Sequence, residues 1–435
     1  MRQWMVAAKK ADFYVIAERF HVDPVVARII RNREVIGEKN IRIYLGGNLS
    51  DLSDPHQMKD MDRLVEILAQ KIRKQVHIRI IGDYDVDGVT SSHLFLTALR
   101  RVGAKVDVVI PHRIQDGYGL SLHLLQQAKE DGVDTILTCD NGIAAIDEIA
   151  WAKAQKMTVL VTDHHAVPFE EHEGRRTEKK SLADAVVNPH QQDCRYPYKE
   201  LCGAGVAWNV IRVLYENYDM DKREAEDLLD FVAMATVCDV MSLTGENRIL
   251  VKEGLKRIRH TKNIGLQALM QACNVQPENI SAYHFGYVLG PCVNATGRLD
   301  TARHALRLFE TGQETEAEEI ARDLVDLNQE RKELTLQGVE MAKKLCEEGG
   351  YENDPVLVLF LPDVHESIAG LIAGRIREMY NRPVFVLTRG EEGVKGSGRS
   401  TENYSMYENM CGCAELFTKF GGHPMAAGLS LPEEN

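Results

Sequence analysis

Between Val76 and Val187 the chain alternates short β-branched runs with helix-length segments, and its acidic and imidazole side chains gather where those segments end. The runs Ile78 to Ile81, Lys105 to Ile110, Thr135 to Thr138, Thr158 to Val161 and Ala185 to Val187 read as strands. Helical patterns lie between them at about 89–101, 121–131 and 144–156. This alternation predicts βαβ units, and so an α/β fold with a parallel sheet covered on both faces. Open sheets of that kind bind ligands beyond the carboxyl ends of their strands. Four motifs follow apolar segments: Asp83-Tyr84-Asp85-Val86-Asp87-Gly88, Asp140, Asp163-His164-His165 and Asp239. If they converge, they make a two-metal phosphoesterase.

The first motif begins like a calcium loop of the D-x-D-x-D-G type. Counting from Asp83, however, its twelfth position is Leu94 instead of a bidentate glutamate, and a strand precedes it instead of a helix. A strand-to-helix turn is the reading that remains, with Asp85 and Asp87 pointing to one side so that they can share a divalent cation. Packed carboxylates repel unless cations neutralise them; a solvated acidic turn is the plain alternative. Asp140 precedes Asn141-Gly142 and, taken alone, could be no more than a helix N-cap. His164 and His165 could be surface decoration until the neighbouring carboxylates are counted. Imidazole among several carboxylates favours Mn²⁺, with Mg²⁺ second and zinc disfavoured for want of a thiolate or a three-histidine set. Asp239 sits in the otherwise apolar Thr236-Val237-Cys238-Asp239-Val240, where a lone carboxylate is costly without a cation partner.

At 435 residues the chain exceeds one core. We expect a helical leader at 1–75, a catalytic domain at 76–312, a connecting helix at 313–350 and a smaller α/β domain at 351–435. Helices at about 203–217 and 221–237 would complete the catalytic domain, the second delivering Asp239. In the smaller domain we expect a strand at Val356 to Phe360, a helix near 368–380, a strand at Val384 to Leu387, and glycine-rich turns around 396 and 421. A net charge of −13 argues against a protein that coats nucleic acid non-specifically, yet not against an enzyme acting on it. No apolar run is long enough for a membrane span, and Met1 to Lys10 is charged too early for a signal segment, which leads us to expect a cytoplasmic protein. Nine irregularly spaced cysteines suit reduced thiols, Cys411 and Cys413 included.

Three further segments place Arg, Ser, Asn or His among glycines: Asn294-Ala295-Thr296-Gly297-Arg298-Leu299, Lys395-Gly396-Ser397-Gly398-Arg399-Ser400 and Phe420-Gly421-Gly422-His423. Glycine lets backbone approach an anion and Arg offers a bidentate donor, so together they read as a phosphate clamp. Singly, each could be a plain turn.

On these residues the chain resembles the DHH phosphoesterases, and within them the bacterial single-strand-specific exonucleases. The resemblance rests on Asp83 to Ser91, Thr138 to Ile143, Thr162 to His165 and Val237 to Asp239, with Gly290-Pro291, Asn294 to Leu299, Lys395 to Ser400 and Phe420 to Gly428 marking the exonuclease branch. It implies that Asp85, Asp87, Asp140, His164 and Asp239 hold two divalent cations, with Asp83 beside them. It places His165 on the scissile phosphate, next to Asp163, and Asn294, Arg298, Ser397, Arg399 and His423 on the DNA. It further implies 5′ to 3′ hydrolysis of single-stranded DNA in recombination and repair by a monomer, alongside a single-strand-binding protein and a helicase. Two departures stand out: Cys292 occupies a position where the family usually carries Arg, and the sequence stops short of the rest of the second lobe and of an OB-fold. A phosphodiesterase for short oligonucleotides or cyclic dinucleotides, and a non-catalytic scaffold, are the alternatives.

Overall fold

The computed structural model describes residues 9–113, 116, 119–172, 175–351, 354–390 and 393–435; the reading of Met1 to Ala8 as free of a signal segment lies outside them. The chain divides into two compact units, one of residues 1–297 and 301–322, the other of residues 298–300 and 323–435.

The first unit opens with helices α1 (Phe13–Phe20), α2 (Pro24–Asn32), α3 (Glu38–Gly46) and α4 (Met61–Arg73). The expected leader does not stand apart as a unit of its own. Arg248 donates from its guanidinium to Tyr44 O, and Glu246 accepts from Ser53 N at 3.2 Å. These bonds tie the leader to a helix two hundred residues further on.

A five-stranded parallel sheet forms the centre: β1 (Ile78–Ile81), β2 (Val106–Val109), β3 (Thr135–Cys139), β4 (Thr158–Thr162) and β7 (Ala185–Val187), in the order β2-β1-β3-β4-β7. A small antiparallel hairpin, β5 (Phe169–His172) with β6 (Arg175–Glu178), lies outside it. β1 and β3 are buried throughout, because both faces are covered. On one face α6 (Leu122–Glu130) and α7 (Ile146–Ala154) bury Leu125, Ala128, Ile149 and Ala152 against Ile136, Val159 and Val161. On the other lie α5 (Val86–Arg101) and α8 (Gly203–Asn217), whose buried residues run almost the whole way round. The order starts at β1, steps out to β2 and returns to β3, which opens a switch point beyond the carboxyl ends of β1 and β3.

The helices that follow are α9 (Lys222–Glu226), α10 (Leu229–Cys238), α11 (Gly245–Ile258), α12 (Ile264–Ala272), α13 (Ala282–His284), α14 (Gly290–Leu299) and α15 (Ala302–Glu310). The single helix expected at 221–237 is thus two, α9 and α10. Leu228, the N-cap of α10, makes no side-chain cap bond, and nothing in the periodicity signals the break. A π-helical segment at Phe285–Leu289 leads into α14. The 294–299 segment, which taken singly could have been a plain turn, is therefore helical. Gly297 packs there against the chain: a Cβ would come within 2.3 Å of Tyr84 O.

The long helix α16 (Glu314–Gly349) runs from the first unit into the second, as its charged, proline-free sequence leads one to expect. The second unit holds β8 (Leu357–Phe360), α17 (Glu366–Tyr380), β9 (Val384–Arg389), β10 (Val394–Arg399), α18 (Met406–Cys411), β11 (Lys419–His423) and β12 (Ala426–Leu431). Its sheet has the order β11-β12-β10-β9-β8, parallel only between β8 and β9. The turns expected around 396 and 421 are strands β10 and β11. Glycine suits β10 because neighbours crowd it: a Cβ on Gly396 would meet Leu387 at 2.5 Å, and one on Gly398 would meet Met406 at 2.6 Å. Among the described residues no helix is long and apolar enough to cross a membrane.

Candidate metal centre

Each ligand motif is delivered by the end of an element. After β1 the chain passes through Gly82 and Asp83 to Asp85, which caps α5 by accepting from Gly88 N at 3.0 Å. Asp87 lies in the first turn of α5 but serves another helix. Its two oxygens accept from Gly203 N at 2.6 Å and Ala204 N at 2.7 Å, the opening amides of α8. Asp140 follows β3 in the left-handed region, with φ 61. It is not the N-cap of α7, a position that Ala145 occupies. The turn is held by Asn141, whose Nδ2 donates to Ile81 O and Cys139 O at 3.0 Å each, and by Gly142, where φ is 105. Asp163 follows β4, and Asp239 is the C-cap of α10.

These ends converge. His164 Nε2 lies 3.1 Å from Asp140 Oδ1, 3.6 Å from Asp239 Oδ2 and 3.7 Å from Asp87 Oδ2. Three triads have donor atoms within 4.8 Å of one another: Asp83 with Asp85 and Asp140, Asp87 with His164 and Asp239, and Asp140 with His164 and His165, the last linking the other two. Asp140 and His164 are where the triads meet. Asp140 Oδ1 and Asp83 Oδ1 are buried and accept no hydrogen bond, a costly state for a carboxylate unless a cation supplies the missing partner. The donor set, hard oxygens with one imidazole, fits Mn²⁺ or Mg²⁺.

The electrostatics agree. Burial, and then the charge of Asp85, push Asp83 well above the usual carboxylate range. Asp140 is driven up by burial and then by Asp87, and Asp239 by the same two causes to about 8. Asp85 rises through burial and Asp87. Carboxylates this crowded resist ionising together in the absence of a cation. Burial lowers His164, leaving its imidazole neutral and able to coordinate.

His165 plays a different part. Asp163 Oδ1 accepts from His165 Nδ1 at 2.7 Å and from the backbone of His164 and His165 at 2.7 and 3.0 Å, while its Oδ2 accepts from Ile143 N at 2.9 Å. Burial opposes charge on His165, but the Asp163 bond and the surrounding carboxylates raise it to about 9. Burial likewise opposes charge on Asp163, but His165 keeps it below the usual carboxylate range. The pair is an imidazole oriented by its carboxylate.

The substrate residues expected from sequence divide. Asn294 Oδ1 accepts from Val86 N at 3.1 Å, so this side chain braces the acidic turn. In the second unit Arg298 Nη1 donates to Ser367 O at 2.7 Å, and Arg399 Nη1 to Gly398 O at 2.7 Å and Ser397 Oγ at 3.2 Å. All three gather at the first turns of α17, where a Cβ on Gly370 would lie 2.7 Å from Ser397 Oγ and 2.8 Å from Arg399 Nη2. His423 is exposed on β11, in the same cross-strand row as Arg399, since both register with Ala426 of β12.

Sequence reasoning missed three contributors. Asn188, just past β7, donates from Nδ2 to His165 O at 2.9 Å; the strand-end rule that singled out Asp140 would have found it. Gly203 abuts the centre, because a Cβ there would come within 2.7 Å of Asp140 Cβ, and the small residues of Cys202-Gly203-Ala204-Gly205 were the signal. Arg113 stacks 4.8 Å over Tyr84 and its charge reaches Asp83, with no pattern to betray it.

A parallel sheet whose strand ends carry a paired acidic and imidazole centre defines a DHH-type phosphoesterase domain. Residues 77–236 match the DHH family, N-terminal domain, and residues 353–435 match the DHHA1 domain. The chain belongs to the RecJ family within that class. It is 36% identical to the single-stranded-DNA-specific exonuclease RecJ of Haemophilus influenzae, over 95% of this chain and 72% of that protein. Its identity to RecJ of Bacillus subtilis is 34%, over 97% of this chain and 52% of the relative, so the chain spans about half that protein's length. Among solved structures, RecJ of Thermus thermophilus in complex with Mn²⁺ superposes with a TM-score of 0.81 at 29% identity, covering 97% of this chain and 58% of that one. A RecJ exonuclease bound to manganese gives 0.74 at 32% identity, over 87% of this chain and 91% of that one. The Thermus protein has also been solved with Mg²⁺, with a TM-score of 0.74.

Proposed function

We propose that the chain hydrolyses the phosphodiester bonds of single-stranded DNA with two divalent cations, Mn²⁺ or Mg²⁺, working from the 5′ end as the family resemblance implies. The observation that carries this reading is the pair of triads meeting at Asp140 and His164, with buried carboxylate oxygens that accept no hydrogen bond. Asp83, Asp85 and Asp140 would hold one ion, and Asp87, His164 and Asp239 the other. Such a pair lowers the pKa of a bound water and neutralises charge on the reacting phosphate.

The protein's own groups do the rest. Asp163 fixes the His165 ring through Nδ1, which leaves Nε2 to meet a phosphate oxygen or the leaving oxygen with its proton. Asn188 and Asn141 hold the backbone of these turns, so the ligands need little rearrangement. Asn294 sets the acidic turn from behind. In the second unit Arg298, Ser397, Arg399 and His423 offer donors suited to a DNA backbone. Free thiols throughout accord with a reducing, cytoplasmic setting, and a helicase and a single-strand-binding protein are the partners that the family resemblance implies.

The test is digestion of a ~30-nucleotide single strand, a length long enough to span a single-strand groove, labelled at either end, with Mn²⁺, Mg²⁺ or EDTA. Metal-dependent release of mononucleotides from the 5′ end is expected, and its loss in Asp85→Ala with the fold retained. Cleavage of dinucleotides only would replace this reading with a small-substrate phosphodiesterase. Metal binding without any hydrolysis would replace it with a scaffold.

A further inference from the structure

Apart from the metal centre, the first unit contains a cavity of about 710 Å³, walled by α5, α10, α11, α12 and α15. It is built from none of the ligand residues. Its volume falls within the range of small-molecule sites, roughly 300–1,000 Å³. Its walls are not loosely packed: a Cβ on Gly254 of α11 would come within 2.2 Å of Leu229 O of α10, and one on Gly265 of α12 within 1.9 Å of Leu308 O of α15.

The lining has two characters. Phe231, Phe309 and His93 form a ring cluster, with centroids 4.4 Å apart for His93 and Phe231 and 5.0 Å for the two phenylalanines. His93 is only 6% exposed, and its Nδ1 has no hydrogen-bond partner. Burial and the nearby Arg100 charge hold this imidazole neutral, down to about 3. The charged part of the lining is mixed, with Arg100, Lys256, Arg257, His260 and Lys262 beside Asp227, Asp230 and Glu310. Lys256 and Arg257 are paired with Glu253. Lys262 makes no ion pair among the described residues, and Arg100 has only Glu310, at 3.8 Å. Aromatic and imidazole rings suit a flat heteroaromatic ligand, and the two under-neutralised cations suit an anion.

We propose that this cavity is a binding site for a nucleoside monophosphate, with the base against the His93, Phe231 and Phe309 cluster and the phosphate toward Arg100 and Lys262. Its placement gives the site a consequence. α5 carries Asp87 in its first turn and His93, Thr97 and Arg100 further along, while α10 begins at the cavity with Asp230 and Phe231 and ends at Asp239. Ten residues of α5 separate Asp87 from Thr97, about 15 Å along a helix. Two of the helices that deliver metal ligands therefore also wall this cavity, and occupancy can be felt at the metal centre without touching it. The choice of nucleotide rests on the hydrolytic reading, because a nucleoside monophosphate is what that reaction releases; the binding itself does not.

The experiment is calorimetric titration of the full chain in EDTA, which removes metal-dependent binding and turnover, with deoxyadenosine 5′-monophosphate, deoxyadenosine and inorganic phosphate as separate probes. The monophosphate should bind, at least tenfold more tightly than either fragment. The double variant Arg100→Glu/Lys262→Glu should weaken it tenfold or more, whereas Asp85→Ala should leave it unchanged. No binding of the monophosphate, equal binding of a fragment, or loss in Asp85→Ala with retention in the double variant would each overturn the proposal. Binding that survives in a chain without nuclease activity would uphold this site while removing the hydrolytic reading.

Discussion

At the scale of single residues, the chemistry-bearing side chains were legible because carboxylates and imidazoles at strand ends are conspicuous, and the structure gathers Asp83, Asp85, Asp87, Asp140, His164 and Asp239 as expected. What sequence could not reveal was how these groups are held. Asn294, expected as a substrate contact, accepts from Val86 N and so braces the acidic turn, and Gly203 carries no functional group at all. The glycine gives the sharper test. In Gly203→Ala the new methyl would displace Asp140, and a shift of about 1 Å in a reacting group can cost about a hundredfold in rate. We expect that loss in metal-dependent hydrolysis with the circular dichroism spectrum unchanged; an unaffected rate would show that Asp140 has slack. His93 governs a different observable. Its folded pKa of about 3 lies below the value of about 6.5 for an unfolded histidine, so on acidification the unfolded chain takes up the proton first. The stability it contributes is complete above about pH 6.5 and declines as pH falls toward 3, by up to about 1.4 kcal/mol per unit. In His93→Gln that part of the urea stability profile should flatten, and an unchanged acid limb would mean that another group sets it.

At the scale of elements, the strands of the central sheet were readable because a strand buried on both faces is a continuous apolar run. Their order was not, since pairing of β1 with both β2 and β3 is a long-range choice that no local pattern encodes. The second sheet was harder. Gly396, Gly398, Gly421 and Gly422 suggested turns, but in β10 glycine answers crowding from Leu387, Leu429 and Met406. Helix to helix, Asp87 is the joint, accepting both opening amides of α8 from its place on α5. Asp87→Ala leaves two buried donors unsatisfied and should lower stability in EDTA by roughly 2–5 kcal/mol. Asp85→Ala loses one cap bond, worth about 1 kcal/mol, and is offset by relief of carboxylate repulsion. Equal denaturation midpoints for the two variants would contradict this division of labour.

At the scale of the whole molecule, each unit has its own buried core, one around Ile136, Val159 and Ile149, the other around Leu357, Ile372 and Val386. Sequence placed a boundary near residue 75, where the DHH match begins, but not the packing of the leader into the same compact unit, because an amphipathic leader reads the same whether it packs on its own partner or on α11. Mn²⁺ at a hundred times its dissociation constant should stabilise the unit that binds it by about 2.7 kcal/mol. Scanning calorimetry should accordingly show the transition of the first unit moving upward with Mn²⁺ while that of the second stays in place; a common shift would mean that the two melt together. The spread of the ligands along the chain carries one more consequence, for synthesis. They run from Asp83 to Asp239, and Asp140 sits in the left-handed backbone region only once its turn has closed behind β3. A ribosome must therefore deliver more than half of the first unit before both ion sites can exist. The ion that needs Asp239 meets a sheet whose five strands have all been made, whereas the Asp83, Asp85 and Asp140 set is complete before β4 and β7.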